Sequence, residues 1–161
     1  LVGVDLVGPT DRAEVVVLGG AGPEFSYQQM NHALGLLLDG AELVGMHRNR
    51  YWRTAEGFSL DTGAYLGALE SAAEVTATVI GKPSAAFFET AANALGVSGP
   101  DRVAMVGDDI DNDVLAAQAV GMTGVLVRTG KYRPDREAAA AGTPDRVIDS
   151  VADLAQALAD P

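Results

Sequence analysis

No cysteine occurs in this sequence. Disulfides, zinc–thiolate sites and cysteine nucleophiles are therefore excluded, and a reducing, cytoplasmic setting is the expectation that goes with it. Basic residues are also few. Eleven Lys and Arg stand against 22 Asp and Glu, which gives a net charge of −11. Such a balance offers no basic stripe to displace counterions, so no nucleic-acid partner is expected. Nor is there a surface attracted to anionic membrane. No run reaches the roughly 18 apolar residues of a membrane span. No charged segment followed by an apolar one opens the chain, so no signal peptide is expected.

What is present suits a globular α/β chain. The hydrophobic fraction is 48% over 161 residues, enough to build the core of one ordinary domain or two small pieces. Strand-like runs alternate with helical patterns. Glu14 to Gly20 (EVVVLGG) reads as a buried strand stopped by glycines. Ser26 is placed to cap a helix carrying Met30, Ala33, Leu34, Leu37 and Leu38 at helical spacing, with Gly40 as its stop. A short strand (AELVGMH) and a polar, aromatic-containing loop (RNRYWRTAEGFSLDTG) follow. Then come a helix (AYLGALESAA), a β-branched strand (VTATVIG) and a helix opened by Lys-Pro-Ser. DRVAMVG is a strand, DNDVLAAQAVG a helix and TGVLVRTG a strand and turn. A loop with room for one helical turn, a short strand and a last helix complete the chain. The rhythm predicts a largely parallel sheet. The best boundary lies near Gly81, where long irregular loops give way to compact βα units.

Two stretches carry chemistry. In VAMVGDDIDNDV, an apolar run ends in Gly107 and then four aspartates within six residues. Ligands of open parallel sheets gather at the carboxyl ends of strands, and the helix N-terminus that follows favours anions. A divalent cation between carboxylates and a phosphate fits there, and Mg²⁺ takes a few carboxylates plus waters and phosphate oxygens. Asp108 would address the crevice, and Asp113 would support it from the first helical turns. Helix capping and plain solvation compete as readings, most strongly for Asp109 and Asp111. A calcium EF-hand fails, because Val114 and Val120 stand where its glycine and glutamate belong. The second stretch is IGKPSAAFF. Lys82 follows a strand and a glycine, where it can neutralise a phosphate; alone it would read as an exposed lysine.

Together VIGKPSAAFFETAANALGV and VAMVGDDIDNDVLAAQAVGMTGVLVRTGKYRP resemble the last two motifs of the haloacid dehalogenase-like (HAD) phosphatases. The likeness is to the subgroup with a large α/β cap, and FSYQQMNHALGLLLDG onward looks like that cap. The resemblance implies an HAD-like Rossmannoid fold. Residues 1–80 would be part of the cap, and residues 81–161 the C-terminal half of the core. It implies Mg²⁺ as cofactor, with Asp108 as ligand, Asp113 as its supporting partner and Asp109 nearby. It makes Lys82 the catalytic lysine that holds the phosphoryl group. His47, Arg48 and Asn49 fall where the subgroup places substrate-selecting residues, and Tyr51 and Trp52 are candidates for the same cleft or for packing under the loop. The substrate would be a small phosphorylated metabolite, a phosphoamino acid or pyrophosphate. Caps of this subgroup often mediate dimer contacts, which adds a homodimer through the cap to the expectations.

The family transfers phosphoryl to an aspartate in a D-x-D-G-T motif, and this sequence contains none. Asp5 lacks the continuation. The chain also opens on Leu1 rather than methionine. It is therefore expected to be a C-terminal fragment, inactive by itself because covalent catalysis needs its nucleophile. The alternative is a non-catalytic binding or dimerisation module that keeps the fold. A receiver-like signalling domain is disfavoured, since Lys82 precedes Asp108 rather than following the acidic cluster.

Overall fold

The computed structural model describes residues 3, 5–8, 11–20 and 22–159. Its first half is built on a three-stranded parallel sheet of β1 (Val15–Leu18), β2 (Glu42–Gly45) and β5 (Thr78–Val79), with β2 in the centre. Helices α1 (Tyr27–Leu38) and α2 (Thr62–Ala73) cover it. The α1 start is set by Ser26, whose hydroxyl accepts the Gln29 N–H. Met30, Ala33, Leu34 and Leu37 turn inward onto Leu18, Leu43, Leu66, Leu69 and Ala77. Leu38, expected on that face, instead lies 66% exposed, because it sits beyond the edge of the stripe. Phe25 stacks on Tyr65 with ring centroids 4.1 Å apart.

The segment expected to be a loop is a β-hairpin, β3 (Tyr51–Thr54) and β4 (Gly57–Leu60). Four-residue strands are too short to register an apolar alternation. The pairing rests on side chains that share one face. Tyr51 meets Phe58 edge to face, and the Arg53 guanidinium lies 5.0 Å from the Phe58 ring centroid. The Thr54 hydroxyl closes the turn by donating to the Gly57 carbonyl and accepting the Glu56 N–H.

The second half carries another parallel sheet, β6 (Ala104–Gly107), β7 (Thr123–Val127) and β8 (Arg146–Ile148), with β7 central. Val125, Leu126 and Val127 are buried accordingly. Helix α3 (Ala85–Ala94) packs Phe88 and Ala92 against Ala117 and Met122. Short helices α4 (Ala116–Ala119), α5 (Pro134–Ala138) and α6 (Leu154–Ala159) complete this half. The helix expected from Asp111 onward begins instead as one wide, π-helical turn over Ile110–Leu115. There the Asp109 carbonyl accepts both the Asp113 and the Val114 N–H. Such turns recur at functional sites. The buried residues clustered on β1, β2, α1 and α2 all precede Gly81, and those of the other three clusters all follow it. No helix among the described residues is long and apolar enough to cross a membrane.

Candidate functional site

The site forms where β6 and β7 end and the loop after β5 arrives. At the end of β6 the chain approaches itself closely. A Cβ on Gly107 would run into the Asp113 side chain, so only glycine allows that carboxylate to fold back under the strand end. Asp113 is 4% exposed. Its Oδ1 accepts from the Lys82 ammonium at 2.7 Å, and its Oδ2 accepts the Asp109 N–H at 3.3 Å. Lys82 thus reaches the aspartates as expected. Its own carbonyl accepts the Arg48 N–H at 3.0 Å, which ties it to the loop before the hairpin.

Asp109 caps the wide turn. Its Oδ1 accepts the N–H groups of Asp111 and Asn112 at 3.1 and 3.0 Å. Its Oδ2 accepts from the Asn112 side-chain amide at 2.9 Å and from the Lys131 ammonium at 2.8 Å. Burial alone would push this carboxyl up. The Asn112 N–H and the Lys131 ammonium outweigh it and hold the group below the ordinary Asp value. Asp109 therefore caps the turn, as one reading of the sequence has it, and also pairs with Lys131.

Asp108 is held differently. Its Oδ2 accepts the Lys131 N–H at 2.8 Å, and Oδ1 has no hydrogen-bond partner among the described residues. The loop geometry requires Gly130, which has φ +58° and whose Cβ would collide with Asp108. Asp111 points away to Arg136.

The three loop residues expected to select substrate divide. His47 turns to the start of α2, with Nε2 3.4 Å from the Thr62 hydroxyl and 3.6 Å from Asp61 Oδ1. Arg48 makes a two-pronged bond to Glu70 at 2.7 and 2.9 Å. That bond raises the Arg48 pKa and lowers that of Glu70. Asn49 alone reaches the aspartate segment, accepting from the Asn112 amide at 3.2 Å. Tyr51 faces the site, whereas Trp52 lies 52% exposed on the hairpin.

Two adjoining clefts share Tyr51, Asp109 and Arg136. A narrow one of about 20 Å³ also meets Asp108 and Lys131. A wider one of about 390 Å³ opens between the segment entering the hairpin, the first turns of α2 and the wide turn. Sequence reasoning assigned no role to Lys131, Asn112 or Arg136. A signal existed for the first. Gly130-Lys131 repeats, after β7, the strand–Gly–Lys order of Gly81-Lys82 after β5.

Among the described residues no three acidic or histidine side chains converge so as to hold a metal by themselves. The donor set nevertheless fits Mg²⁺ at one point. Asp108 has an uncommitted oxygen, and Mg²⁺ needs only one or two carboxylates when waters and phosphate complete its shell. Asp109 and Asp113 are engaged by lysines and backbone N–H groups, which suits them to orient rather than to ligate.

Residues 79–154 match the family model described as HAD-hydrolase-like. Phospholysine phosphohistidine inorganic pyrophosphate phosphatase from Danio rerio is 42% identical over 97% of this chain and 57% of its own length. Human haloacid dehalogenase-like hydrolase domain-containing protein 2 is 45% identical over 80% of this chain and 49% of its own. The chain thus spans about half the length of these curated relatives. Among solved structures, 4-nitrophenylphosphatase from Thermotoga maritima superposes with TM-score 0.81 at 27% identity, covering 95% of this chain and 58% of that one. Sequence and fold alike are thus similar to those of haloacid dehalogenase-like hydrolases, with the family match confined to residues 79–154.

Proposed function

We propose that this chain is part of a Mg²⁺-dependent phosphatase acting on a small phosphorylated substrate. One observation carries the reading. The Lys82 ammonium, just after a parallel strand, is fixed on buried Asp113, which folds back under Gly107, and the next residue, Asp108, keeps one carboxylate oxygen without a hydrogen-bond partner among the described residues. A cation and a free carboxylate at a strand end suit a phosphoryl group and its metal. Lys82 would bind a phosphoryl oxygen and Asp113 would hold Lys82 in place. Lys131 would fix Asp108 through its N–H and Asp109 through its ammonium, leaving Asp108 Oδ1 to hold the cation. Mg²⁺, when bound, supplies charge stabilisation for the phosphoryl oxygens. Residues 1–80 are proposed as part of a cap and residues 81–161 as the second half of the core, supported by hydrophobic clusters that divide at Gly81.

The proposed chemistry forms a bond from an aspartate oxygen to phosphorus as the leaving-group oxygen departs; water then hydrolyses the aspartyl phosphate. This sequence holds no D-x-D-G-T to provide that aspartate. Among the described residues, strand β6 is an edge strand. A further strand paired along it would end beside Asp108, and we propose that the nucleophile arrives on such a strand from sequence outside these 161 residues. One relative is named for phospholysine, phosphohistidine and inorganic pyrophosphate; a phosphoamino acid, pyrophosphate or small phosphate ester is the substrate class proposed here.

Titration of the chain with inorganic phosphate and Mg²⁺, followed by amide NMR shifts, tests the site. Shifts are expected at Lys82, Gly107–Asp113 and Lys131, and their loss in Lys82→Met. Shifts confined to other regions, or unaffected by that substitution, would contradict the assignment.

A further inference from the structure

Among the described residues, the wider cleft holds one cation that nothing neutralises. Of the charged groups lining it, Arg48 is paired with Glu70, Arg136 with Asp111, and Asp109 with Lys131. Arg50 lines the same cleft and is exposed, and it has no ion-pair or side-chain hydrogen-bond partner among the described residues. Its position is nevertheless fixed by the backbone, because its carbonyl accepts the Asp61 N–H at 3.0 Å at the base of the hairpin. In a chain of net charge −11 an unpaired guanidinium at a cleft is informative, since acidic side chains to pair with it are plentiful.

The cleft is of a size to take a small metabolite, and it adjoins the narrow cleft through Tyr51, Asp109 and Arg136. A molecule with its phosphoryl group at Asp108 and Lys82 would therefore extend toward Arg50. A planar guanidinium binds carboxylate or phosphate oxygens with two parallel bonds. We infer that the substrate carries a second oxyanion besides the transferred phosphoryl group, and that Arg50 is the residue that selects for it. Arg50 touches neither the phosphoryl site nor the metal-facing carboxylate, so its role is specificity alone. The inference rests on the phosphatase reading above.

The test uses phosphonates that cannot be hydrolysed, with calorimetry on the 161-residue chain. Ethylphosphonate carries one oxyanion. Phosphonoacetate, 3-phosphonopropionate and 4-phosphonobutyrate add a carboxylate at increasing reach, and methylenediphosphonate adds a second phosphonate. At least one two-anion probe is expected to bind about ten-fold tighter than ethylphosphonate, the gain of one charge-assisted pair. Whichever arm binds tightest identifies the second group as carboxylate or phosphate. Arg50→Gln should erase that preference and leave ethylphosphonate affinity unchanged. Equal binding of all probes, or a preference that survives Arg50→Gln, would overturn the inference. Lys82→Met separates the two layers. Ethylphosphonate binding that depends on Lys82 without any two-anion preference would sink only the Arg50 assignment. No Lys82-dependent binding of any probe would sink the phosphoryl site and the Arg50 assignment with it.

Discussion

Lys82 and Asp113 depend on each other. Asp113 is almost fully buried, and Lys82 is its only side-chain cation among the described residues. Removing one partner of such a pair strands the other charge. Lys82→Met should therefore destabilise the chain by about 2 kcal/mol in urea unfolding, discounted for the partial exposure of Lys82. Lys82→Met combined with Asp113→Asn should recover most of that loss. Gly130 sits in the left-handed region against Asp108, so Gly130→Ala should cost about 1–2 kcal/mol in the same assay. Asp109 predicts a pH dependence. Its folded pKa is lowered, so its stabilisation is complete above its unfolded value and is lost as pH falls through the folded one. The stability difference between wild type and Asp109→Asn should be flat above about pH 5 and shrink below about pH 4. These residues were unequally legible. Lys82 and Asp108 stand out only together, each following a strand and a glycine one βα unit apart, and Asp113 through its place in the same acidic run. Asn112 and Arg136 carry no such signal, since their partners are set by the wide turn and by a loop that lies far away in sequence. The Arg48–Glu70 bond was invisible for the same reason, being a contact between a loop and a helix 22 positions on.

The helices were the readable elements, because their ends carry chemistry that sequence displays. Ser26 before an apolar stripe is one case. Helix α2 ends differently, on Glu74 with φ 57° where glycine is the usual residue. Relieving that left-handed strain is worth about 1 kcal/mol, and the added freedom of the unfolded chain returns about half of it. Glu74→Gly should thus stabilise by about 0.5 kcal/mol, seen as a higher urea midpoint with unchanged slope. The hairpin was missed because its strands are four residues long and its pairing rests on Tyr51, Arg53 and Phe58 rather than on an aliphatic alternation. The wide turn was missed because its cause is not local. One carbonyl serving two N–H groups holds Asp113 under β6, and that arrangement depends on Gly107 lacking a side chain.

The α/β alternation was legible throughout, and it explains how the site assembles. Lys82, Asp108 and Lys131 are separated in sequence by intervals of about one βα unit, so successive units deliver each side chain to the same end of the structure. What the alternation cannot display is which strand lies at an edge. β6 lies there, with one side unpaired among the described residues and Asp108 just beyond its end. In the proposed function this edge is the entry point for a nucleophile-bearing strand. Hydrolysis of 4-nitrophenyl phosphate with and without Mg²⁺ tests it, using the chain alone and the chain preceded by a segment bearing D-x-D-G-T. The account predicts no Mg²⁺-dependent turnover by the chain alone and turnover by the longer protein. It also predicts that Asp108→Ala lowers the latter by about 100-fold or more. Equal turnover by both proteins, or an unchanged rate in Asp108→Ala, would contradict it.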